Sequence, residues 1–578
     1  MHTTDIHFRR DGAGFERFLA VLMLSVCLGI LAFKFVATTR INVNWDEFWF
    51  LSFVHTLLRD EMTLVLQGAY THLFTWLPAA GSNEVDQIVA ARVVMVGLLG
   101  LTGFLTWRIA ARWFTGLAAA IPPFVYLSTV PVLSHGGSFR ADSMLAPLLM
   151  SAVALLTVRD RSRRDEMLAG AALGFAAAIT VKVLLFAPLI IVLLAASSEP
   201  GPAKFRAAGL FVSSSLRIGF TAAVCGALLV GLHAISIAGA VSPSASALPP
   251  EPVASFIQRT ASTTIVDAGL FPRGDVLGIY ARWQPLAWCL IGGGLVISAF
   301  RRRIDLLAMS LALLPVAFYR NAYPYFYVVM LAPVSLLAGV AYATLADYIA
   351  SKTPRYVSWI FASVVCAGLF YQGFKPMLRF AQDEQSIQRD IVAAAHRIFP
   401  HPVNYIDRCG MVSSFRKVNP FMSTWAMAEY NAAGVPIMEA TARASRAAFL
   451  IANVTALTTA TTSPGGLLKA DREFLERTYS RYWGPIKIAG GSAEFQAGDT
   501  ATLHVPFAAE YRLQATTDVL IDDVQRRDGE VISVDQPVAV KAAPTSTTGE
   551  PIRVKLVLAS AGPPPDREPP PQKVFSGL

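Results

Sequence analysis

Long apolar runs constrain this chain more than any other feature of its sequence. The hydrocarbon core of a membrane is about 30 Å thick, and a helix needs about 20 apolar residues to cross it. The stretch 167–197 is too long for one span and too short for two, and Lys182 lies at its middle. The other long apolar runs are 17–38, 88–110, 116–135, 140–158, 208–240, 281–300, 304–320, 324–348 and 357–376. These runs predict a polytopic α-helical membrane protein.

Composition excludes several other classes. The chain has 578 residues, of which 54% are hydrophobic and 15% charged, which is too apolar for an ordinary soluble enzyme. The net charge of +9 comes from short basic clusters between apolar runs rather than from one basic stripe, so no nucleic-acid partner is expected. Four of the five cysteines lie in apolar segments, which leaves no disulfide framework and no cysteine metal site. The first run lacks a small-residue cleavage pattern, and we expect it to be retained as a span.

Basic clusters predict the topology, because Lys and Arg collect on the cytoplasmic side of a membrane. The clusters share one side only if 167–197 is a short helical hairpin that turns near Lys182. That arrangement gives about 11 spans with the N-terminus inside and everything after residue 376 outside. It also assigns the loop 39–87, the Lys182 turn, the loop 241–280 and the tip near Arg320 to the outer face. The clusters are Arg9/Arg10/Arg17, Arg108/Arg112, Arg159 to Arg164, Lys204/Arg206, Arg301 to Arg303 and Lys352/Arg355.

The pattern changes after the transmembrane domain, which we assign to residues 1–376. In 377–482, amphipathic helical stretches such as "QSIQRDIVAAAHRIF" alternate with strand-like "VNYID" and "AAFLIANV", which predicts a soluble α/β domain. In 483–560, apolar residues alternate with polar ones in "TATLHVPFAAEYRLQATTDVLIDD" and "IRVKLVLA", which is typical of a small β-sandwich. The proline-rich tail 561–578 is predicted to be disordered.

Paired carboxylates open the first external loop, in "INVNWDEFWF". Asp46 and Glu47 there have two interpretations. One is a solvated interfacial loop with Trp45 and Trp49 as membrane-boundary aromatics. The other is a general base that takes a proton from an attacking hydroxyl at the membrane surface.

Further charges occur where an apolar environment makes them costly. Arg140 and Asp142 begin a span after a Gly-Gly turn, either as an ion pair that caps the helix or as a second charged position in the same external cavity as Asp46. Lys182 either extends to the interface from the hairpin tip or supplies a point charge for a phosphate.

The segment "FYRNAYPYFYVVMLAP" carries Arg320, Tyr325 and Tyr327. It is either an aromatic belt at the membrane boundary or a site for a lipid phosphate or a sugar. All of these charged positions fall on the outer face, next to the bilayer, which fits a substrate that is part lipid and part phosphate. A proton-coupled transporter would instead hold its charges near the midplane, between repeats with broken helices.

These residues resemble the pattern of the GT-C superfamily of integral-membrane glycosyltransferases, in the bacterial branch of aminoarabinose lipid A transferase and protein O-mannosyltransferases. The resemblance covers roughly residues 15 to 376. In chain order, its positions are Asp46-Glu47 at the start of the first external loop, His72 in "YTHLFTWLP", Asp142 in "FRADSMLAP", Lys182 after "GAALGFAAAITV", and Arg320 with Tyr325 before "PVSLLAG". One departure is that "HLF" follows where the family usually has H-P-P, which leaves the role of His72 open.

The resemblance implies an enzyme of the bacterial inner membrane that works at the periplasmic face. Its donor would be a polyprenyl-phosphate sugar, and its acceptor an envelope glycolipid, glycan or protein. Asp46 would be the base of an inverting transfer, Glu47 and Asp142 would orient the reacting groups, and Lys182 with Arg320 would hold the donor phosphate. Some relatives use a divalent metal, but no His/Asp cluster here is dense enough to indicate one, so neither a metal nor another cofactor is assigned. The alternatives are a transferase of a non-sugar lipid phosphate, a transporter or flippase of a lipid-linked precursor, or a structural envelope component.

Overall fold

The computed structural model describes residues 13–196, 204–240, 269–378, 385–457, 466–543, 550–569 and 573–575. Up to Met377 the secondary structure of the described chain is helical, and the first strand begins at Asn404. The basic residues Arg9 and Arg10 and most of the loop predicted at 241–280 lie outside the described residues.

Most described helices of the N-terminal part follow one another within a few residues. Short 3-10 helices occur at Ala69–Phe74, Val181–Phe186, Leu311–Leu313 and Pro324–Phe326. The α-helices are α1 (Ala13–Ala37), α2 (Trp45–Leu58), α3 (Leu77–Ala80), α4 (Glu84–Trp113), α5 (Gly116–Ser128), α6 (Val130–His135), α7 (Ala141–Leu156), α8 (Arg163–Ile179), α9 (Ala187–Ala196), α10 (Lys204–Ser236), α11 (Gly274–Trp283), α12 (Pro285–Phe300), α13 (Ile304–Ser310), α14 (Pro315–Phe318), α15 (Tyr327–Val334), α16 (Leu336–Lys352) and α17 (Arg355–Met377).

Four of the described helices are long and apolar enough to cross a membrane, and two bent helix pairs raise the number to six. The bent pairs are α11 with α12, at 112°, and Pro324–Val334 with α16, at 43°. The four single helices are Gly14–Ala37, Glu84–Trp113, Gly209–Ser236 and Arg355–Met377. The protein is therefore mostly helical with four to six candidate spans in its described part, and the predicted count of about 11 is not confirmed.

Several predicted spans are divided or shortened by local backbone. The run 116–135 is split at Thr129, whose extended backbone (φ −69°, ψ 143°) separates α5 from α6. In 167–197, α8 ends because Thr180 is extended (φ −158°, ψ 134°), and the Thr180 hydroxyl accepts the N–H of Lys182 at 3.4 Å. The break in this stretch thus lies at Thr180, two residues before Lys182, near which the sequence predicts a turn.

The loop 39–87 contains a helix with a capped start. The Asn44 side chain accepts the N–H of Asp46 at 2.9 Å, and the Glu47 carboxylate accepts the N–H of Asn44 at 3.0 Å. This reciprocal arrangement is a capping box, and it fixes the start of α2 and the position of Asp46 in its first turn.

The C-terminal part combines an α/β unit with a β-sandwich. A five-stranded sheet has the order β2-β1-β3-β5-β4, with β1 parallel to β2 and β3 and the other pairs antiparallel. Its strands are β1 (Asn404–Ile406), β2 (Arg416–Lys417), β3 (Phe449–Ile451), β4 (Tyr479–Trp483) and β5 (Ile486–Ala489). The helices around it are α18 (Ser386–Ile398), α19 (Thr424–Ala433), α20 (Met438–Ser445) and α21 (Lys469–Thr478). The predicted boundary between 482 and 483 falls inside the β4–β5 hairpin, since β5 pairs with β3.

Two antiparallel four-stranded sheets follow, with the orders β10-β9-β12-β7 and β11-β8-β13-β6. Buried and exposed residues alternate along their strands, as in β8, which accounts for the period-two pattern of the sequence. The strands are β6 (Ser492–Phe495), β7 (Thr500–Leu503), β8 (Ala509–Ala515), β9 (Val519–Ile521), β10 (Val524–Arg526), β11 (Val531–Val534), β12 (Val538–Ala542) and β13 (Ile552–Leu558).

One hydrophobic core joins the loop 39–87 to the C-terminal region. Val43 and Phe48 of the loop belong to the same buried cluster as Ile391 and Tyr405. Gln388 is fully buried and closes this junction, with its side chain accepting the N–H of Val43 and donating to the Val43 carbonyl, both at 2.8 Å. The α/β unit therefore packs on the loop that carries Asp46 and is held there by buried contacts.

Part of the tail that was predicted to be disordered is packed in this junction. Phe575 is buried, and its ring lies 6.0 Å from Trp45 and 6.1 Å from Phe48, measured between ring centroids. The Val574 carbonyl accepts a hydrogen bond from Gln388 at 3.1 Å. Burial of a Phe side chain contributes about 1.5–3 kcal/mol to stability. The burial of Phe575 therefore favours an ordered end of the tail despite its many prolines.

Candidate active site

Asp46 is held at the end of a row of alternating charges. Its carboxylate forms an ion pair with a terminal nitrogen of Arg140, and its side chain keeps 20% of its surface exposed. Arg140 precedes α7 and is itself 5% exposed. A carboxylate that is oriented by a buried guanidinium and still open to solvent can meet an incoming hydroxyl.

The row continues through Asp142 to Lys182. The Arg140 Nε lies 3.6 Å from the Asp142 Oδ2, and the Lys182 Nζ donates to the Asp142 Oδ1 at 2.8 Å. The side chains of Asp142 and Lys182 are 2% and 20% exposed. We call Asp46, Arg140, Asp142 and Lys182 the charged row, in which two anions and two cations balance one another.

Tyr325 forms one wall of the charged row. The Arg140 Cζ lies 3.7 Å from the centroid of the Tyr325 ring, and the Lys182 Nζ lies 5.2 Å from it. Both distances are within the range of cation–π attraction. The ring of Tyr323 stacks on Tyr325 with 5.8 Å between centroids and 29° between planes.

Arg273 extends this stack, and sequence reasoning missed it. The Arg273 Cζ lies 4.4 Å from the centroid of the Tyr323 ring, and the guanidinium donates a hydrogen bond to the Tyr323 hydroxyl. The available signal was an arginine just before a glycine, within a loop that was already predicted to be external. A third cation therefore lies two stacked aromatic rings away from the charged row.

Three buried polar atoms at this site have no hydrogen-bond partner within the described residues: the Nε of Arg140, the Oδ2 of Asp142 and the Nε of Arg273. The 3.6 Å between the first two is too long for a good hydrogen bond. An unsatisfied buried polar atom costs about 1–3 kcal/mol. Such atoms are typical of a binding site, where a ligand completes the hydrogen bonds.

Glu47, the second candidate catalytic carboxylate, is part of the framework instead. It is fully buried and is held by the Nε of Arg92 at 2.8 Å, the Nη2 of Arg92 at 2.5 Å and the N–H of Phe139 at 2.8 Å. Burial would raise the pKa of the Glu47 carboxyl, but the charge and hydrogen bonds of Arg92, with the N–H groups of Phe139 and Asn44, keep it below its ordinary value. A carboxylate saturated in this way cannot accept a substrate proton.

The other predicted site residues are His72, Tyr327 and Arg320. The Nε2 of His72 lies 2.9 Å from the Nδ1 of His233 on α10, so these two histidines pair with each other. The ring of Tyr327 is buried against Tyr280, with 5.6 Å between centroids. Arg320 is half-buried in the turn between α14 and the 3-10 helix Pro324–Phe326.

In the described part of the chain, no group of three or more His, Cys, Asp or Glu side chains is arranged to hold a metal ion.

Comparisons with known proteins give structural likeness only. No protein-family model matches the chain, and no curated protein matches it. Among solved structures, ArnT from Cupriavidus metallidurans, bound to undecaprenyl phosphate, aligns with a TM-score of 0.48 and 15% identity, over 94% of this chain and 99% of that one.

Two further structures align over most of this chain. The archaeal oligosaccharyltransferase AglB from Archaeoglobus fulgidus, in complex with an inhibitory peptide and a dolichol-phosphate, has a TM-score of 0.49 and 12% identity, over 91% of this chain and 75% of that one. The arabinosyltransferase EmbB from Mycobacterium smegmatis has a TM-score of 0.37 and 10% identity, over 93% and 64%.

Proposed function

We propose that the protein is a membrane glycosyltransferase. It moves a sugar from a polyprenyl-phosphate donor to a lipid, glycan or protein acceptor, and Asp46 is the general base. The observation that carries the proposal is the charged row, in which the partly exposed Asp46 carboxylate pairs with Arg140 and a second cation, Lys182, follows on the other side of Asp142. We further propose that the site faces the periplasmic side of a bacterial inner membrane.

Asp46 has the chemistry that the acceptor needs. The acceptor oxygen attacks C1 of the sugar and forms the new C1–O bond, while the bond from C1 to the phosphate oxygen breaks. The lipid phosphate leaves with that electron pair, and the proton of the acceptor hydroxyl goes to the Asp46 carboxylate. A positioned general base contributes about 10²–10⁴-fold to the rate of such a step. Attack from the side opposite the leaving group inverts the configuration at C1.

The cations serve the leaving group. Charge develops on the phosphate oxygen as the bond breaks, and fixed positive groups in a water-poor site stabilise it without reorganisation. Lys182 and Arg140 supply this charge, and their partners Asp142 and Tyr325 hold them in place. Arg273, across the Tyr323 ring, is a further candidate for phosphate contact. The Nε atoms of Arg140 and Arg273 have no acceptor among the described residues, and the oxygens of a bound phosphate would accept their hydrogen bonds.

The test is transfer of labelled sugar from a panel of polyprenyl-phosphate donors to membrane extracts, with the full chain in liposomes. Wild-type protein should transfer label, and Asp46→Asn should lose about 10²–10⁴-fold in rate per folded molecule while it keeps its donor binding. Asp60→Asn is the matched control. Asp60 is an exposed carboxylate of the same loop with φ 55°, a backbone that Asn also adopts.

Each outcome has a direct meaning. If wild type consumes no donor of the panel, the glycosyltransferase proposal falls, and transport of a lipid-linked precursor becomes the reaction to test. If wild type transfers and Asp46→Asn transfers equally well, the reaction class stands and Asp46 is not its base.

A further inference from the structure

Arg408 of the α/β unit reaches the first external loop beside Asp46. It follows strand β1, in a loop whose backbone is fixed. The Asp407 carboxylate accepts the N–H groups of Gly410 and Met411, both at 2.8 Å. The N–H of Arg408 donates to the Oδ1 of Asn453 at 3.1 Å, and its carbonyl accepts the N–H of Met422 at 3.0 Å. The guanidinium therefore extends from a rigid base.

The ring of Trp45 supports the guanidinium. The Arg408 Cζ lies 3.8 Å from the centroid of the Trp45 ring, and Trp45 directly precedes Asp46 in the first turn of α2. Arg408 also interacts electrostatically with Asp46. The Asp46 carboxylate forms its ion pair with Arg140, so Arg408 is a second cation, from the α/β unit, that acts on the proposed base.

The charge of Arg408 is incompletely compensated. Its Nε is buried and has no hydrogen-bond partner in the described part of the chain. Other arginines of the same interface have carboxylate partners: Arg389 pairs with Asp86, and Arg416 with Glu61. Burial lowers the pKa of Arg408, and the nearby carboxylates of Asp46 and Asp407 offset this only in part. A cation that only joined the two units would be expected to have an anion opposite it, as Arg389 and Arg416 do.

We propose that Arg408 is an acceptor-positioning residue: its guanidinium binds a phosphate or carboxylate on an amphiphilic acceptor and so directs a neighbouring hydroxyl of that acceptor to Asp46. The inference rests on the proposed function and adds the class of acceptor to it, an anionic lipid headgroup. The lipid source is favoured because the first external loop carries exposed apolar side chains, Leu58, Leu73 and Trp76. Such side chains suit a loop that lies in the membrane interface.

The experiment tests the role of Arg408 in acceptor binding separately from the transfer reaction itself. Lipids of a bacterial membrane extract are divided by anion exchange into anionic and neutral fractions, and the protein of the same extract is kept as a third acceptor. The full chain in neutral detergent is given the labelled donor that it uses and each fraction in turn. The variants are Arg408→Gln, Arg408→Lys and, as a matched control, Arg416→Gln, which removes a partly exposed interface arginine.

The inference predicts that label enters the anionic lipid fraction. Arg408→Gln should raise the apparent KM for that fraction at least tenfold and leave the KM for the donor within twofold. Arg408→Lys should recover part of the loss, because it keeps the charge but not the planar fork. Arg416→Gln should leave both constants within twofold.

Other results overturn the inference. Label in the neutral lipids or in protein would assign a different acceptor. An unchanged KM for the acceptor in Arg408→Gln would exclude the positioning role. The role would also be excluded if Arg408→Gln raised the KM values for donor and acceptor equally and Arg408→Lys restored neither. If Arg408→Gln fails to fold, Arg408→Lys alone decides by its acceptor KM. Failure of the wild type to use any donor would instead refute the proposed function itself.

Discussion

The guanidinium of Arg140 forms an ion pair with the Asp46 carboxylate, although 94 positions separate the two residues in the chain. The same guanidinium lies on the ring of Tyr325 and next to Asp142. One side chain thus joins the loop 39–87, the start of α7 and the segment after α14. This geometry leads to the first prediction.

Arg140→Lys should lower kcat at least tenfold. Lysine keeps the positive charge, but its ammonium cannot pair with Asp46, approach Asp142 and stack on Tyr325 at once, because it lacks the planar fork of arginine. Steady-state transfer assays give kcat and the KM for the donor. The control is Arg303→Lys, whose guanidinium pairs with Asp305 at a partly exposed position. A wild-type kcat in Arg140→Lys would contradict the role of this side chain.

Removing Lys182 should destabilise the protein as well as inactivate it. Lys182→Met leaves the buried Asp142 with only the more distant Arg140, and loss of one partner from a buried pair costs about 3–5 kcal/mol. The double variant Lys182→Met, Asp142→Asn removes both charges, so its melting temperature in detergent should return toward that of wild type. Its transfer activity should stay lost, since the phosphate still lacks its cation. Recovery of transfer in the double variant would show that Lys182 is needed only to neutralise Asp142.

Glu47→Gln should act on stability rather than on the chemical step. The change breaks the buried pair with Arg92 and costs about 3–5 kcal/mol, while Asp46 remains available. Thermal unfolding gives the loss, and transfer normalised to folded protein should stay far closer to wild type than in Asp46→Asn. A folded Glu47→Gln protein that is as inactive as Asp46→Asn would return Glu47 to the catalytic groups.

The same pair predicts a pH dependence. The pKa of Glu47 is below its ordinary value of 4.5 in the folded protein, so the pair contributes stability at neutral pH. This contribution is lost as the pH falls below that ordinary value and through the lowered one. The difference in melting temperature between wild type and Glu47→Gln should therefore shrink under acid conditions. A difference that is constant with pH would refute the ionic origin of the stabilisation.

Docking of the α/β unit should weaken as the pH rises. The His396 Nε2 lies 3.0 Å from the Glu84 Oε2, and Glu84 also accepts the N–H of Ser414 at 3.0 Å. Burial would lower the pKa of His396, but the hydrogen bond and charge of Glu84 outweigh it and raise the pKa above 6.5. The protonated pair stabilises the interface fully below pH 6.5, and this stability is lost as the pH passes through the raised value.

Hydrogen exchange of the Ser414 amide measures this docking directly. After correction for intrinsic exchange, its protection should fall with rising pH in wild type and be nearly independent of pH in His396→Gln. His55, which also faces His396, is left unchanged in both proteins. Equal pH dependence in the two proteins would assign the effect to another group.

Local pattern was sufficient for much of the fold. Apolar runs predict a mostly helical membrane part, and alternating residues predict the C-terminal sheets, because helix and strand expose side chains with different periods. The span count was less secure, since single residues such as Thr129 and Thr180 divide runs that composition alone leaves continuous. The buried Phe575 depends on a partner ring at Trp45, which no local pattern in the tail contains.

At the site, the sequence by itself determined which residues bear charge in an apolar setting: Asp46, Arg140, Asp142 and Lys182 all stand out by composition. Only the tertiary structure decided their roles. Asp46 and Glu47 are adjacent, but side chains of successive helical residues point in different directions, so one meets Arg140 near solvent and the other is enclosed by Arg92. Arg408 likewise acquires its position from the packing of the α/β unit on the loop. Burial and ion pairing depend on distant contacts, and those are set by packing rather than by neighbours in the chain.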